Sequence, residues 1–234
     1  MITITPDSQL ADIVIDRPAA ARVFDTRAID YCCNGHRPLR DACDAAGLPV
    51  QEVIDELTLV DDVPVSGPAH DDVGALIGHI VSTHHRYLRR ELPRLADLMS
   101  KVVAAHGERH PEVLEVATLL TELSDDLLPH LDKEERVLFP LAIQLLGAVE
   151  PTTFHCGSVS NPLSVMFAEH DRAGELLEAL RDRTDGYRPP ADACPTFHAL
   201  YAGLAELEAD THRHVHLENN LLFPAIAAAE ARLG

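Results

Sequence analysis

A histidine followed four residues later by a glutamate occurs twice in this sequence, in the matching segments HLDKEERVLFP and HVHLENNLLFP. The pairs are His130 with Glu134 and His214 with Glu218. Residues four apart lie on one face of an α-helix, and in both segments that face is also the apolar one. Because an isolated carboxylate is very costly to bury, we expect a cation beside each glutamate. The shared Leu-Phe-Pro is interpreted as core packing and a helix end.

Two further histidines, His85 and His170, lie at helical spacing from apolar neighbours in two other predicted helices. The spacing from His85 to His130 is 45 residues, and that from His170 to His214 is 44. These matched spacings indicate a duplicated two-helix unit, with one histidine on the first helix and the His-x-x-x-Glu pair on the second. Two such units facing each other place four histidines and two glutamates at one centre.

This set of side chains favours a dinuclear metal site. Six donors exceed the four ligands of a tetrahedral zinc ion. All are nitrogen or oxygen donors, which suits iron, manganese or zinc better than an iron–sulfur cluster or copper(I). If each glutamate bridges, each ion receives two histidines and two carboxylate oxygens, and a bridging oxo or hydroxo group adds a fifth donor. One position on each ion then stays open for a small ligand. A zinc or purely structural site is the alternative interpretation.

Three other histidines lie close to this pattern. Periodicity barely separates His84 from His85, so the choice between them stays open at this level. His212 and His216 are four apart and mimic a zinc-binding pair, but they are offset by two residues from His214. That offset is about 200° around a helix that turns ~100° per residue. We therefore expect His212 and His216 to face solvent.

The elements that must position these residues are predicted to be helices. Four long helical patterns without convincing strands predict an all-α fold, a four-helix bundle over residues 71–234. The third helix is expected near 163–183, after a loop at 147–162, and the fourth near 196–230. Pro129 is expected to kink the second helix.

The chain before the bundle divides into two further parts. Residues 61–70, DDVPVSGPAH, contain two prolines and a glycine and are predicted to be a linker. Residues 1–60 alternate short helical runs with helix breakers, and their apolar positions suffice for one small core. We therefore predict a small helical N-terminal domain.

Composition excludes several classes of partner. The net charge of −19 argues against nucleic acid, which needs clustered Lys and Arg, and against an anionic membrane surface. The N-terminus, MITITPDSQL, shows neither the basic nor the apolar region of a signal peptide. Five cysteines are an odd number and do not suggest a disulfide framework. We therefore expect free thiols and a cytoplasmic location.

Two of the five cysteines, Cys32 and Cys33, are adjacent and precede a turn at Asn34. His36 and Arg37 lie close by, and positive charge lowers the pKa of a thiol. The pair is either a reactive thiolate pair, for redox work or for passing iron, or two small buried residues. The remaining cysteines carry no motif and are treated as structural or incidental: Cys43, Cys156 and Cys194.

The sequence resembles the repair-of-iron-centres family of di-iron proteins, the ScdA/YtfE type with a haemerythrin-like domain. The segments that carry the resemblance are DYCCNGHRPL, HHRYLRRELP, HLDKEERVLFP, EHDRAGELLE and HVHLENNLLFP. It implies a non-haem site of two iron ions, and it favours His85 over His84. The ligands that it implies are His85, His130, Glu134, His170, His214 and Glu218. A further family histidine falls on His106 and is expected to be auxiliary.

The resemblance also implies a function. Proteins of this type are implicated in repairing or protecting iron–sulfur clusters damaged by nitric oxide or oxidants. Iron donation and reduction of nitric oxide to nitrous oxide have both been proposed for them. The expected partners are therefore NO or O2, damaged iron–sulfur proteins and an unidentified electron donor. The alternative is a haemerythrin-like sensor or carrier that binds O2 or NO without turnover, and the paired cysteines argue against it.

Overall fold

The computed structural model describes residues 2–60, 72–148 and 157–233 of this chain. Within these ranges the protein is helical, and Gln9 and Pro38 form an isolated β-bridge. The all-α prediction is therefore confirmed. The predicted linker at 61–70 lies outside the described residues, so the domain boundary stays a prediction. No helix among the described residues has the length and apolar character needed to cross a membrane.

Short helices around one apolar core make up the N-terminal unit. They are α1 (Leu10–Asp16), a turn of 3-10 helix (Pro18–Ala20), α2 (Ala21–Thr26), α3 (Leu39–Ala46) and α4 (Val50–Leu59). Leu10, Phe24 and Tyr31 are among the side chains fully buried at the centre of this core. Gly47 ends α3 with a φ of 67°, a left-handed conformation that glycine adopts without steric cost.

Four long helical rods form the bundle, and three of them contain a π-helical segment. Bundle helix 1 is α5 (Val73–Ile80), π1 (Val81–His85) and α6 (Arg86–His106); bundle helix 2 is α7 (Glu112–Lys133), π2 (Glu134–Leu138) and α8 (Phe139–Gly147); bundle helix 3 is α9 (Ser160–Arg183); bundle helix 4 is α10 (Pro195–Leu217), π3 (Glu218–Leu222) and α11 (Phe223–Leu233). Helix 1 packs on helices 2 and 4, and helix 3 packs on the same two, so the four form a closed ring. The haemerythrin-like four-helix architecture is confirmed.

The bundle has two apolar clusters with a polar layer between them. One cluster runs from Leu88 on helix 1 to Leu207 on helix 4, and the other contains Ile80 and Leu222. The predicted metal-binding histidines and glutamates fall in the gap between the clusters along all four rods. Burial of apolar side chains in both clusters stabilises the packing of the rods. Together they position the polar layer.

The Leu-Phe-Pro segments do not end their helices, which corrects the expectation from the sequence. In each segment the chain widens into a π-turn and continues, because the N–H of Phe139 bonds the carbonyl of Glu134 and that of Phe223 bonds the carbonyl of Glu218. Each bond spans five residues instead of four. Proline cannot donate to a carbonyl four residues back, and its ring collides with that carbonyl in a regular helix. A π-turn just before Pro140 relieves this conflict.

The helix that contains Pro129 continues as α-helix from Glu112 to Lys133, and the kink expected at Pro129 stays a prediction. The loop predicted at 147–162 is shorter than expected, since α9 begins at Ser160. Residues 149–156 of that loop, including Cys156, lie outside the described residues.

The N-terminal unit packs against bundle helix 4, on the face that was predicted to be exposed to solvent. His216 is 3% exposed, and its ring lies 5.5 Å from the ring of Tyr31. His212 is half-buried, with its Nδ1 2.9 Å from Oδ1 of Asp25. The expected solvent exposure of both histidines is therefore wrong. Helical periodicity gave their direction, away from the polar layer, but not the second unit that covers them.

Candidate metal centre

The structure brings together the six side chains that the sequence predicted as a metal site. Each of the six is between 0 and 2% exposed. They come from all four bundle helices: His85 ends π1, His170 lies within α9, His130 and His214 lie near the ends of α7 and α10, and Glu134 and Glu218 begin π2 and π3. The centre therefore exists only when the whole bundle is assembled.

The six side chains form two groups of four that share both glutamates. One group joins His85 and His214 to Glu134 and Glu218, and the other joins His130 and His170 to the same glutamates. The ligand atoms within each group lie within 4.8 Å of one another. The first will be called the His85 group and the second the His130 group.

Each glutamate turns one oxygen toward each group. Oε2 of Glu134 lies 3.4 Å from Nε2 of His85, while its Oε1 lies 3.4 Å from Nε2 of His130. Glu218 repeats this arrangement, with Oε1 3.1 Å from His214 and Oε2 3.1 Å from His170. This is the geometry that two cations bridged by two carboxylates require.

The residues fit a bound cation because their polar atoms lack other partners. All four carboxylate oxygens of Glu134 and Glu218 are buried without a hydrogen bond of acceptable geometry. Leaving a buried carboxylate unsatisfied is highly unfavourable. In the His85 group Nε2 of His85 faces Nε2 of His214 at 3.2 Å, and the His130 group repeats this with His170 at 3.1 Å. Ring nitrogens that face one another with carboxylates beside them form a suitable set of donors for a metal ion.

The electrostatics of the metal-free centre are those of closely paired opposite charges. Burial by itself would lower the pKa of His130, but the close approach of the Glu134 carboxylate and the charges of both glutamates raise it to about 9. The pKa of His85 is raised by the same opposition of causes. Burial tends to raise the pKa of Glu218, but the nearby charges of His214 and His170 lower it well below its usual value. Burial lowers the pKa of His214 itself.

Three of the four histidines donate Nδ1–H to an outer partner. His85 donates to Glu135 at 2.9 Å, His130 to Glu169 at 2.8 Å and His170 to Asn219 at 2.7 Å. This bond fixes the ring orientation and leaves Nε2 free to bind a metal. Nδ1 of His214 is buried without such a partner. None of the three outer partners is among the residues predicted from the sequence, although each is the immediate chain neighbour of a predicted site residue.

Two phenylalanines cover the centre, and they come from the repeated Leu-Phe-Pro segments. Phe139 lies against His85 with ring centroids 5.7 Å apart and planes 23° apart. Phe223 lies against His170 at 5.7 Å with planes only 3° apart. Both phenylalanines are buried. The sequence predicts only core packing and a helix end for these segments, although the repetition of the phenylalanines at one register was a signal that they serve the same centre.

His84 and His106 do not join either group. His84 is buried, but its Nδ1 lies 3.0 Å from Oδ1 of Asp210 and its ring stacks on His214. His106 is the last residue of α6, 21 residues after His85, which is about 30 Å along a helix that rises 1.5 Å per residue. Its ring packs against Phe197. An auxiliary role at the centre is therefore not supported by its position.

A cavity of about 590 Å³ opens between bundle helices 2 and 3 beside the centre. Its wall includes His130 and Glu169. Lys133 forms an ion pair with Glu169 at the same place. The cavity thus brings solvent-accessible space up to the outer side of the His130 group.

The paired cysteines lie where the N-terminal unit meets the bundle. Cys32 is buried and Cys33 is half-buried. Asp30 accepts hydrogen bonds from the backbone N–H groups of both cysteines, at 3.0 and 2.9 Å. A hydrogen bond with Cys33, burial and the charge of Asp30 raise the pKa of the Cys32 thiol well above its usual value. The expectation of a lowered pKa is therefore wrong for Cys32, because the hydrogen bond with Cys33, burial and the Asp30 carboxylate all act to raise it.

A side-chain amide links this region to the centre. Nδ2 of Asn219 lies 3.4 Å from the carbonyl oxygen of Cys32, while Oδ1 of the same side chain accepts the bond from His170. The neighbouring Asn220 donates to the same carbonyl at 3.1 Å. The two hydrogen bonds of Asn219 thus connect the backbone of Cys32 to His170 in the polar layer.

Comparison with known proteins agrees with the geometry. The profile of the haemerythrin HHE cation binding domain matches residues 76–226, and that of ScdA_N, a domain of unknown function, matches residues 6–61. The iron-sulfur cluster repair protein YtfE of Enterobacter sp. (strain 638) is 36% identical over 225 residues, which cover 96% of this chain and 98% of that protein. The protein of the same name in Musicola paradisiaca (strain Ech703) is 36% identical over 231 residues, and that in Escherichia coli O157:H7 is 34% identical over 225, with the same coverage of both chains.

A matching profile across most of the bundle and relatives that align over nearly the whole chain establish the family. The haemerythrin domain implies iron binding, and the buried His and Glu groups fit that cation. The chain belongs to the haemerythrin-domain family of YtfE-type iron-sulfur cluster repair proteins.

Proposed function

We propose that this protein holds two iron ions and repairs or protects iron–sulfur clusters that nitric oxide or oxidative stress has damaged. The observation that carries the proposal is the arrangement of Glu134 and Glu218, each of which presents one oxygen to each group. We assign the bridging role to these two glutamates. His85 and His214 would hold one ion, and His130 and His170 would hold the other. The repair role is supported by the similarity to iron-sulfur cluster repair proteins of other bacteria.

The residues around the centre are suited to iron that reacts with small ligands and that can be released from the protein. Bound iron supplies redox electrons and adjacent open positions for small ligands such as NO or O2. Phe139 and Phe223 shield the rings of His85 and His170 from water. The cavity beside His130 gives small ligands a route to the centre. The donor set lacks thiolates, so it holds iron without the soft ligands that form an iron–sulfur cluster.

Two routes of repair are compatible with this centre. In the first, iron leaves the centre and is donated to a damaged iron–sulfur protein. In the second, two NO molecules are reduced to nitrous oxide and water, which takes two electrons and two protons and therefore needs an electron donor. Cys32 and Cys33 are assigned to redox work or iron transfer in either route, because their loop is bonded to Asn219 and Asn220. A cytoplasmic location remains a prediction from the sequence.

The test begins with anaerobic loading of the purified protein with Fe²⁺. We expect two irons per chain, and about one zinc with no iron would contradict the proposal. Loaded protein is then mixed with an iron–sulfur dehydratase that NO has inactivated, and separately with NO and a chemical reductant. Reactivation accompanied by loss of iron supports donation, and nitrous oxide over many turnovers supports reduction. A stable NO adduct with neither result would overturn the repair role and favour a carrier.

A further inference from the structure

A second group of possible metal donors lies outside the iron centre, in the N-terminal unit. Asp30, Cys32 and Cys33 place a carboxylate oxygen and two sulfur atoms within 4.8 Å of one another. Sγ of Cys32 lies 3.2 Å from Oδ1 of Asp30 and 3.9 Å from Sγ of Cys33. No disulfide joins the two cysteines. The three side chains will be called the thiol cluster.

The thiol cluster borders a cavity of about 590 Å³ between the N-terminal unit and the bundle. Six carboxylates line this cavity: Asp25, Asp30, Asp171, Glu175, Glu178 and Glu208. Arg181 is bound to Glu208, and His212 is bonded to Asp25. Arg172 lies 3.9 Å from Glu175, so six carboxylates face three basic groups and the cavity is negative. A negative cavity with low-dielectric walls raises the local concentration of cations.

The iron centre and the acidic cavity lie on adjacent faces of bundle helix 3. His170 points into the polar layer, while the next residue, Asp171, lines the cavity. Asn219 bonds both His170 and the carbonyl of Cys32. The thiol cluster is therefore close to the iron centre, yet it has its own donors and its own access to solvent through the half-buried Cys33.

We propose that Asp30, Cys32 and Cys33 form a separate binding site for one labile divalent cation, which reaches the site through the acid-lined cavity. Two thiolates and a carboxylate suit a borderline ion such as Fe²⁺, Zn²⁺ or Co²⁺. Three protein donors leave a fourth position open, unlike the four ligands of a structural site. The assignment of Fe²⁺ as the natural ion rests on the proposed function. Iron that leaves the iron centre would then bind at the thiol cluster before it is transferred to a damaged iron–sulfur protein.

Cobalt distinguishes this site from the iron centre. Co²⁺ bound by thiolates shows sulfur-to-cobalt charge transfer in the near ultraviolet, whereas Co²⁺ bound by histidine and glutamate does not. We expect iron-loaded full-length protein to gain this absorption with one equivalent of added Co²⁺ while keeping its iron. Cys32→Ser combined with Cys33→Ser abolishes the absorption. Cys194→Ser, which changes a half-buried cysteine far along the chain, serves as the matched control and keeps it.

Two further variants test the remaining parts of the proposal. Asp30→Asn removes the charged donor but can still accept the backbone hydrogen bonds, and it should weaken Co²⁺ binding about tenfold or more. Glu175→Gln combined with Glu178→Gln, both exposed in the cavity wall, should slow cobalt association at low salt. Cys33→Ser alone is a less disruptive variant. It should show a weaker charge-transfer absorption, and a higher Co²⁺ concentration should be needed to reach it.

Absence of thiolate absorption in the unchanged protein would overturn the proposal, as would its persistence in the double cysteine variant. These outcomes are independent of the proposed function. Failure of that function appears as missing iron or missing repair, and the cobalt signal of the thiol cluster depends on neither.

Discussion

The side chain of Asn219 accepts the Nδ1–H of His170 at 2.7 Å. Its other end lies 3.4 Å from the carbonyl oxygen of Cys32, so one amide contacts the iron centre and the N-terminal unit at once. Asn220 bonds the same carbonyl at 3.1 Å but contacts His216 instead of a residue of the centre. Gly35 permits the close approach of the N-terminal unit to Asn220, because a Cβ added at Gly35 would lie 2.6 Å from Oδ1 of Asn220.

A comparison of Asn219→Ala with Asn220→Ala separates the contact to the iron centre from the contact to the N-terminal unit. Asn219→Ala removes the acceptor that orients His170, and loss of such an outer partner weakens metal binding about 10- to 100-fold. Asn220→Ala is the matched control, since it loosens the N-terminal unit without removing a bond to His170. Competition with a chelator measures iron affinity in both variants. Equal affinities for iron in the two variants would contradict the orienting role of Asn219.

The bridging glutamates should be individually indispensable for the pair of ions. Glu134→Ala or Glu218→Ala removes one oxygen from each group, so each variant should lose both irons and not one. Glu122→Ala, at an exposed position of the same helix as His130, should keep them. Metal analysis after anaerobic loading gives the iron content. Unchanged iron in both bridging variants would defeat the assignment.

The paired charges of the centre predict opposite pH dependences for stability and for iron binding. The pKa of His130 is raised to about 9 in the metal-free protein, against about 6.5 in an unfolded chain. Its contribution to stability is therefore complete below about pH 6.5 and is lost as the pH rises through about 9. A metal ion must displace this proton, so iron should bind more tightly across the same rise in pH.

Thermal unfolding of metal-free protein at several pH values, beside chelator titrations of loaded protein, tests both signs. We expect the melting temperature of the metal-free protein to fall between about pH 6.5 and about pH 9 while iron affinity rises. Iron affinity that falls across that window would show that proton displacement from His130 does not control binding.

His212 belongs to the contact between the two units and not to the iron centre. Its Nδ1 lies 2.9 Å from Asp25. His212→Ala should therefore leave the iron content unchanged but lower the free energy of unfolding by about 0.5–1.5 kcal/mol, the usual contribution of a hydrogen bond. Asp25→Asn provides the second arm of a double-mutant cycle, which should show coupling between the two residues. Loss of iron from His212→Ala would place this histidine at the centre.

The central residues could be predicted from the sequence because their signals are local and repeated. Helical spacing fixes which residues share a face, so His130 with Glu134 and His214 with Glu218 follow from four-residue separation alone. The duplication then pairs each motif with an earlier histidine. Local spacing failed between His84 and His85, because π1 adds a residue to the turn that contains both and the regular 3.6-residue period no longer applies.

The remaining features depend on contacts between distant segments. The bond from His130 to Glu169 spans 39 residues, and that from His170 to Asn219 spans 49. No periodic pattern encodes such pairings. The burial of His216 likewise needs Tyr31 from the other unit. The raised pKa of Cys32 depends on hydrogen bonds with Cys33 and Asp30 and on burial by the fold, whereas chain neighbours alone indicated the opposite direction.

The cysteines should differ strongly in reactivity, and not in the order that their motifs suggest. Cys194 precedes α10 at its N-cap, where backbone N–H groups of Phe197 and Thr196 lower the pKa of its thiol. Cys32 is buried with a raised pKa, and the thiolate is the reactive form. Limited iodoacetamide at about pH 7.5 should therefore modify Cys194 well before Cys32, as peptide mass spectrometry would show. Cys194→Ser should remove the early adduct, whereas labelling of Cys32 as fast as Cys194 would mean that its thiol is ionised and accessible in solution.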